Sequence, residues 1–295
     1  MDNIINLLKD KLEPLSNIHG VDGIVLGGSE CINLANKDSD IDICIYYNNE
    51  INWLTVNSII SSIDDCQRTN ILPAPYYWGT NLNSGGVFLL DGYEIDLCIR
   101  ETTVIEHVIH ECINGNIRVS YQAGYPFGFC NTYFVAEINY CKIVYDKFGI
   151  VNQLKELVKK NWISISNHLQ IAYLNESAYQ WVCIRKANND NKLYNQSEIN
   201  SCIFSLLNVY ACHANILFFH NKHAISRLTK VMNDCRILRH LNEIMLLMNG
   251  NSTQDMLRLI GNLILEELPF IVKKQSYIDI NCFNTIKIFL TKQKE

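Results

Sequence analysis

The sequence predicts an α+β chain in which a mixed α/β region is followed by an all-α region, and three observations carry that expectation. Two stretches before residue 101 alternate apolar and polar residues with the two-residue period of a half-buried strand, Ile41-Asp42-Ile43-Cys44-Ile45 and Ile95-Asp96-Leu97-Cys98-Ile99. Asp91-Gly92, set between VFLL and YEIDLCIR, is a two-residue hairpin signal. From about Val151 onward the period changes to that of long amphipathic helices. At 295 residues the chain is long enough for two cores, and 48% hydrophobic against 19% charged residues marks it as globular.

In chain order, MDNIINLLKDKLEP reads as a short amphipathic helix. It lacks the basic head and unbroken apolar core of a signal peptide, so no export is expected. Val21 to Gly27 is apolar and ends in glycines, as a buried strand running into a turn does, and Ser29 to Ala35 has room for a short helix. The strand around Ile41 to Ile45 follows, then a helix from Ile51 to Ile63. LPAPYYWGTNLNSGG, with two of the five prolines and three glycines, reads as a loop leading into the hairpin. Past CKIVYD the helical stretches are LKELVKKNW, SAYQWVCIRKA, CIFSLLNVYACHANILFF, RHLNEIMLLM and DMLRLIGNLILEEL. The third holds Asn208, His213 and Asn215 within its apolar run, which suits a core helix better than a bilayer span. The domain boundary is expected near Phe148-Gly149, giving domains 1–149 and 150–295.

Charge and cysteine usage narrow the classes. Residues 1 to 150 hold 8 Lys and Arg against 19 Asp and Glu, net −11, and residues 151 to 295 hold 17 against 11, net +6. An acidic half suits cations and a basic half suits anionic ligands, although an uneven solvated surface gives the same sums. No two of the twelve cysteines form a C-x-x-C pair, and Cys44, Cys98 and Cys202 fall at apolar positions. Buried free thiols in a reduced, cytoplasmic protein are therefore expected, rather than a disulfide scaffold or a zinc site.

The chemistry concentrates in GGSECINLANKDSDIDICIYY, residues 27 to 47. Strand alternation puts Asp40 and Asp42 on one face while Ile41 and Ile43 anchor the other. Two carboxylates so close repel each other, and a site that keeps both ionised supplies a cation. Magnesium suits hard oxygen ligands and shares them with phosphate. Asp96, on the polar face of the later strand, is the third carboxylate that would complete a two-metal site, and Glu94 shares that face. Gly27, Gly28 and Ser29 have the character of a phosphate cradle, in which glycine backbone approaches closely and a hydroxyl and helix-opening N–H groups meet phosphate oxygens.

The pattern of an apolar strand, G-G-S, about ten residues and D-I-D-I resembles the signature of the nucleotidyltransferase superfamily that includes DNA polymerase beta and the aminoglycoside and lincosamide nucleotidyltransferases. WGTNLNSGGVFLLDGYEIDLCIRE, QAGYPFGF and AEINYCKIVYD are similar to segments of bacterial nucleotidyltransferase-domain proteins, so the resemblance covers residues 20 to 150. It is fainter afterwards, where CIRKAN around Lys186 and FHNKHAISRL around Lys222 resemble positions carrying basic residues in that group. The resemblance implies a small mixed β-sheet flanked by helices, a C-terminal helical bundle, and ATP or another NTP as substrate. It also implies two Mg²⁺ ions on Asp40 and Asp42, one of them shared with Asp96, and attack of an acceptor hydroxyl on the α-phosphate with loss of pyrophosphate. Asp96 or Glu94 would take the proton. Lys186 and Lys222 would contact triphosphate, or else belong to solvated helix faces.

Other residues have plainer readings. His107, His110, His213, His220 and His223 lack a recognised ligand spacing and are expected as surface or core histidines. Arg100, on the face of Asp96, would pair with triphosphate or with a carboxylate. Tyr76, Tyr77 and Trp78 would form a satellite cluster or stack on a base. For the acceptor, a small hydroxylated molecule such as an aminoglycoside, and with it antibiotic resistance, fits the acidic N-terminal half. A tRNA end or a protein hydroxyl is the macromolecular alternative, and a catalytically dead nucleotide-binding fold is the third. No membrane partner is expected, and the oligomeric state is not readable from the sequence.

Overall fold

The computed structural model describes every residue except 1, 38, 188–190, 219, 248–252, 273–277 and 293–295. Met1, Asp38, Asn188, Phe219 and Met248, which fall in stretches quoted above, lie outside the described residues. The architecture is α+β, a small mixed sheet with helices followed by a helical region. The chain divides into two compact units, residues 1–111 with 133–162, and residues 112–132 with 163–295.

Unit 1 begins with α1 (Asp2–Ser16), whose Leu8, Leu12 and Leu15 recur at helical spacing and are fully buried. It continues through β1 (Val21–Leu26), α2 (Gly28–Cys31), β2 (Ile41–Tyr47), α3 (Trp53–Ile63), α4 (Gly79–Leu82), β3 (Ser84–Leu90), β4 (Tyr93–Glu101) and most of α5 (Thr102–Ile113). β5 (Val119–Ser120) and β6 (Phe129–Cys130) form a separate two-stranded ladder in unit 2, after which α6 (Thr132–Tyr140), β7 (Lys142–Tyr145) and the first turns of α7 (Ile150–Lys186) return to unit 1.

The five-stranded sheet has the order β3-β4-β2-β1-β7 and is mixed, because β2 and β4 run parallel while β1–β2, β1–β7 and β3–β4 are antiparallel. One face carries Ile41, Ile43, Ile45, Ile95, Leu97 and Ile99, which join the three α1 leucines and Val56 and Ile60 of α3 in one buried core. The opposite face of the same two strands carries Asp42, Cys44 and Tyr46 beside Asp96, Cys98 and Arg100. The hydrophobic effect thus pins one face and fixes the register that sets the polar residues of the other side by side.

Several boundaries differ from the sequence expectation for local reasons. α3 starts at Trp53 because the Asn52 side chain accepts hydrogen bonds from the N–H groups of Leu54 (3.1 Å) and Thr55 (3.2 Å) as its N-cap. The short helix after Gly27 ends at Cys31 and does not reach Ala35. The segment read as loop before the hairpin contains α4 and the first residues of β3. The hairpin turn falls at Asp91-Gly92, both with positive φ (49° and 81°), the conformation of a two-residue primed turn.

Unit 2 contains the later part of α7, α8 (Lys192–His213), a single 3-10 turn at Asn221–His223, α9 (Ala224–Val231), α10 (Cys235–Leu247), α11 (Thr253–Val272) and α12 (Ile280–Lys292). LKELVKKNW and SAYQWVCIRKA, except its last residue Ala187, belong to one 37-residue helix, α7. α8 ends at His213 and is buried from Cys202 through Cys212 except at Phe204, so the expected core helix is found there. Trp181 is fully buried and donates its indole N–H to the Leu257 carbonyl at 2.7 Å, tying α7 to α11. Among the described residues no helix is long and apolar enough to cross a membrane.

Candidate active site

β2 and β4 pair in parallel register with Asp42 opposite Asp96, so two half-buried carboxylates leave adjacent strands on one face. Asp40 lies one residue before β2 rather than within it, also half-buried. Burial pushes the Asp96 carboxyl above the usual carboxylate range, and the nearby charge of Asp40, with a smaller push from Glu94, adds to the shift against the opposing Arg100. Glu94, two residues before Asp96, is exposed near the start of β4.

The G-G-S turn leads straight from β1 to this row. The Gly27 N–H donates to the Asp42 carbonyl at 2.8 Å, so that group holds the turn against β2 and is not left for phosphate. Gly28 has φ +56°, and a Cβ added there would lie 1.6 Å from Asp42 Oδ2. Only glycine lets the backbone pass this close to the carboxylate. Gly28 and Ser29 open α2, and no side chain caps that N-terminus.

Two lysines of unit 1 reach this end of the sheet. Lys142, which faces Leu26 in the β1–β7 ladder, extends its ammonium to within 3.4 Å of the Glu30 carbonyl. Lys155 donates to the carbonyls of Ile138, Asn139 and Cys141 (3.1, 3.2 and 2.6 Å), closing the end of α6. Sequence reading missed Lys142. Its only signal was a charge inside the apolar segment CKIVYD, and the antiparallel return of β7 to β1 is what brings it beside the G-G-S turn.

Arg100 resolves to a carboxylate partner. Its guanidinium donates Nε and Nη2 to Glu137 Oε1 (3.2 Å) and Oε2 (2.9 Å), gives Nη1 to the Leu82 carbonyl (2.9 Å), and lies 5.3 Å from the Phe134 ring centroid. The Tyr46 hydroxyl donates to the same Glu137 at 2.8 Å. The polar face therefore carries half-buried carboxylates at the Asp42 end and a satisfied ion pair at the Arg100 end.

The remaining predicted residues fall as follows. Lys186 is the last residue of α7 and Lys222 sits in the 3-10 turn; both are exposed and both belong to unit 2. Tyr76, Tyr77 and Trp78 are exposed; Tyr76 donates its hydroxyl to Glu101, and the Trp78 ring lies against Gly85. Three of the histidines have ordinary partners, Glu111 for His107 at 3.6 Å, Glu267 and Gln170 for His213 at 2.6 and 3.0 Å, and the Lys222 N–H for His220 at 2.9 Å. Among the described residues no three His, Cys, Asp or Glu side chains are gathered closely enough to hold a metal ion by themselves.

Residues 5–69 match the family model for a nucleotidyltransferase domain. The match runs from α1 past α3 and includes the G-G-S turn, Asp40 and Asp42, so it supports the resemblance to the nucleotidyltransferase superfamily and, with it, nucleotidyl transfer as the class of activity. The nucleotidyltransferase-like protein from Exiguobacterium sibiricum 255-15 is a structural neighbour at 7% sequence identity and TM-score 0.47, with 92% of this chain and 77% of that chain covered. No curated protein matches the chain.

Proposed function

We propose that this chain transfers a nucleoside monophosphate from an NTP, with ATP as the first candidate, to a hydroxyl of a small molecule, and releases pyrophosphate. The observation that carries the reading is the β2–β4 register, which sets Asp42 beside Asp96 while the Gly28 backbone passes against the Asp42 carboxylate. Asp42 and Asp96, set side by side, with Asp40 just before β2, offer only carboxylate oxygen; that chemistry suits a hard divalent cation such as Mg²⁺, which would take most of its shell from water and phosphate. The electrostatic strain on Asp96, burial first and Asp40 second, is of the kind a cation relieves. When bound to these carboxylates, such ions supply charge neutralisation at the α-phosphate and a lowered pKa for the acceptor hydroxyl.

The chain's own groups do the rest. The N–H groups of Gly28 and Ser29 and the Lys142 ammonium hold phosphate oxygens at the end of β1. The acceptor oxygen bonds to the α-phosphorus, the bond from that phosphorus to the pyrophosphate oxygen breaks, and Asp96 or Glu94 takes the hydroxyl proton. The acidic row also favours an amine-bearing acceptor such as an aminoglycoside.

The test is incubation of the purified chain with each of four α-labelled NTPs, Mg²⁺ and a panel of aminoglycosides and other hydroxylated small molecules, reading pyrophosphate release and labelled product. Asp42→Asn and Asp96→Asn should each lower the rate about 100-fold or more with the fold retained, and Lys142→Ala should mainly raise the KM for NTP. Unchanged turnover in Asp42→Asn would sink the assignment. Label appearing only on tRNA or protein in a lysate would move the acceptor to the macromolecular class.

A further inference from the structure

Unit 2 contains a cavity of about 480 Å³, a volume within the range of sites for drug-sized molecules. It involves none of the residues of the carboxylate row. Its apolar wall includes Phe127 and Phe204, whose rings lie 4.1 Å apart at a 30° tilt, together with Ile117 and Val119.

The polar wall is built rather than incidental. Gln180, buried on α7, donates its amide to Glu176 Oε1 (2.8 Å) and to Ser201 Oγ (2.8 Å), and accepts from Ser205 Oγ (3.3 Å). All of the Gln180 hydrogen-bonding capacity but one lone pair is spent on orienting these groups. Glu176, so held, is one of the residues lining the cavity. It has no cationic partner among the described residues, partial burial pushes its carboxyl up, and Glu198 adds a like charge. Asn208, buried on α8, gives its amide N–H to the Phe204 carbonyl at 2.9 Å and has no acceptor-side partner among the described residues.

A carboxylate held in place without a counter-charge, facing an apolar aromatic wall with one spare amide carbonyl, is complementary to a cation on a flat apolar body. We propose that this cavity binds a small aromatic amine, its ammonium on Glu176, its ring against Phe127 and Phe204, and any further N–H or O–H group on Asn208 Oδ1. The site requires neither NTP nor metal and stands independently of the nucleotidyl-transfer reading.

Calorimetric titration of the full chain, without NTP or divalent ion, tests it with tryptamine as the probe and indole-3-propionate as the matched anionic control. Tryptamine should bind with a dissociation constant below about 1 mM, and indole-3-propionate should not bind. Glu176→Gln retains the acceptor for Gln180 and lies on an exposed residue, so it leaves the fold intact and should weaken tryptamine about tenfold. Ala172→Trp, which fills the cavity from α7, should abolish binding. Absence of tryptamine binding, equal affinity of wild type and Glu176→Gln, or equal binding of the two probes would each overturn the proposal.

Discussion

Gly28 and Asp42 show how much a single side chain decides in this molecule. Gly28→Ala would place a methyl group on the Asp42 carboxylate and force an L-residue into positive φ. The expected outcome is a folded protein by circular dichroism whose nucleotidyl transfer falls about 100-fold, since displacement by an ångström at a reacting centre is enough for that. Asp64 is a purely structural counterpart. Fully buried, it accepts from Arg68 Nε and Nη2 and from the N–H groups of Arg68 and Leu89, and the Arg68 hydrogen bond holds its carboxyl far below the usual range against the opposing effect of burial. A carboxyl depressed in the folded state stabilises fully above its unfolded pKa of about 4, and that contribution is lost as pH falls from there toward the folded value. Scanning calorimetry should therefore show the wild-type Tm falling below about pH 4 more steeply than that of Asp64→Asn. The position of Asp42 on the polar face of its strand was legible from spacing alone, because alternation is a local property, whereas Asp40 falls just before the strand. Lys142 was not, because its neighbours are 112 residues away in sequence at Glu30.

At the scale of elements, the Arg100–Glu137 pair fastens α6 to the polar face of β4. Both partners are largely buried, so removing one strands the charge of the other. Glu137→Leu alone should cost about 3–5 kcal/mol in urea unfolding, and Arg100→Met with Glu137→Leu should recover most of it. A double variant as unstable as the single one would show that the pair is not the fastening. The hairpin was legible because Asp-Gly dictates its own turn geometry. The continuity of α7 was not, because ISIS between its two recognised stretches has weak helix propensity. Burial of Ile165 and Leu169, at 0% and 1% exposure, outweighs that propensity, and such packing is invisible to a local reading.

For the whole molecule, none of the twelve cysteines is in a disulfide and only Cys66 and Cys235 are exposed. Reaction with a thiol reagent should modify these two rapidly in the native protein and all twelve after denaturation; a shortfall after denaturation would reveal disulfides. Burial raises the thiols of Cys44, Cys141 and Cys202, which reinforces their inertness. By itself the sequence determined the α+β class, the order of a mixed region before a helical one, and the hairpin, all of which follow from period, turn chemistry and composition over short spans. Only the tertiary structure decided that Asp96 stands in register with Asp42, that Lys142 meets the G-G-S turn, that Arg100 is consumed by Glu137, and that unit 2 encloses a cavity. Each of those depends on pairing or packing between segments far apart in the chain, where burial of a shared apolar face, rather than any local preference, selects the neighbour.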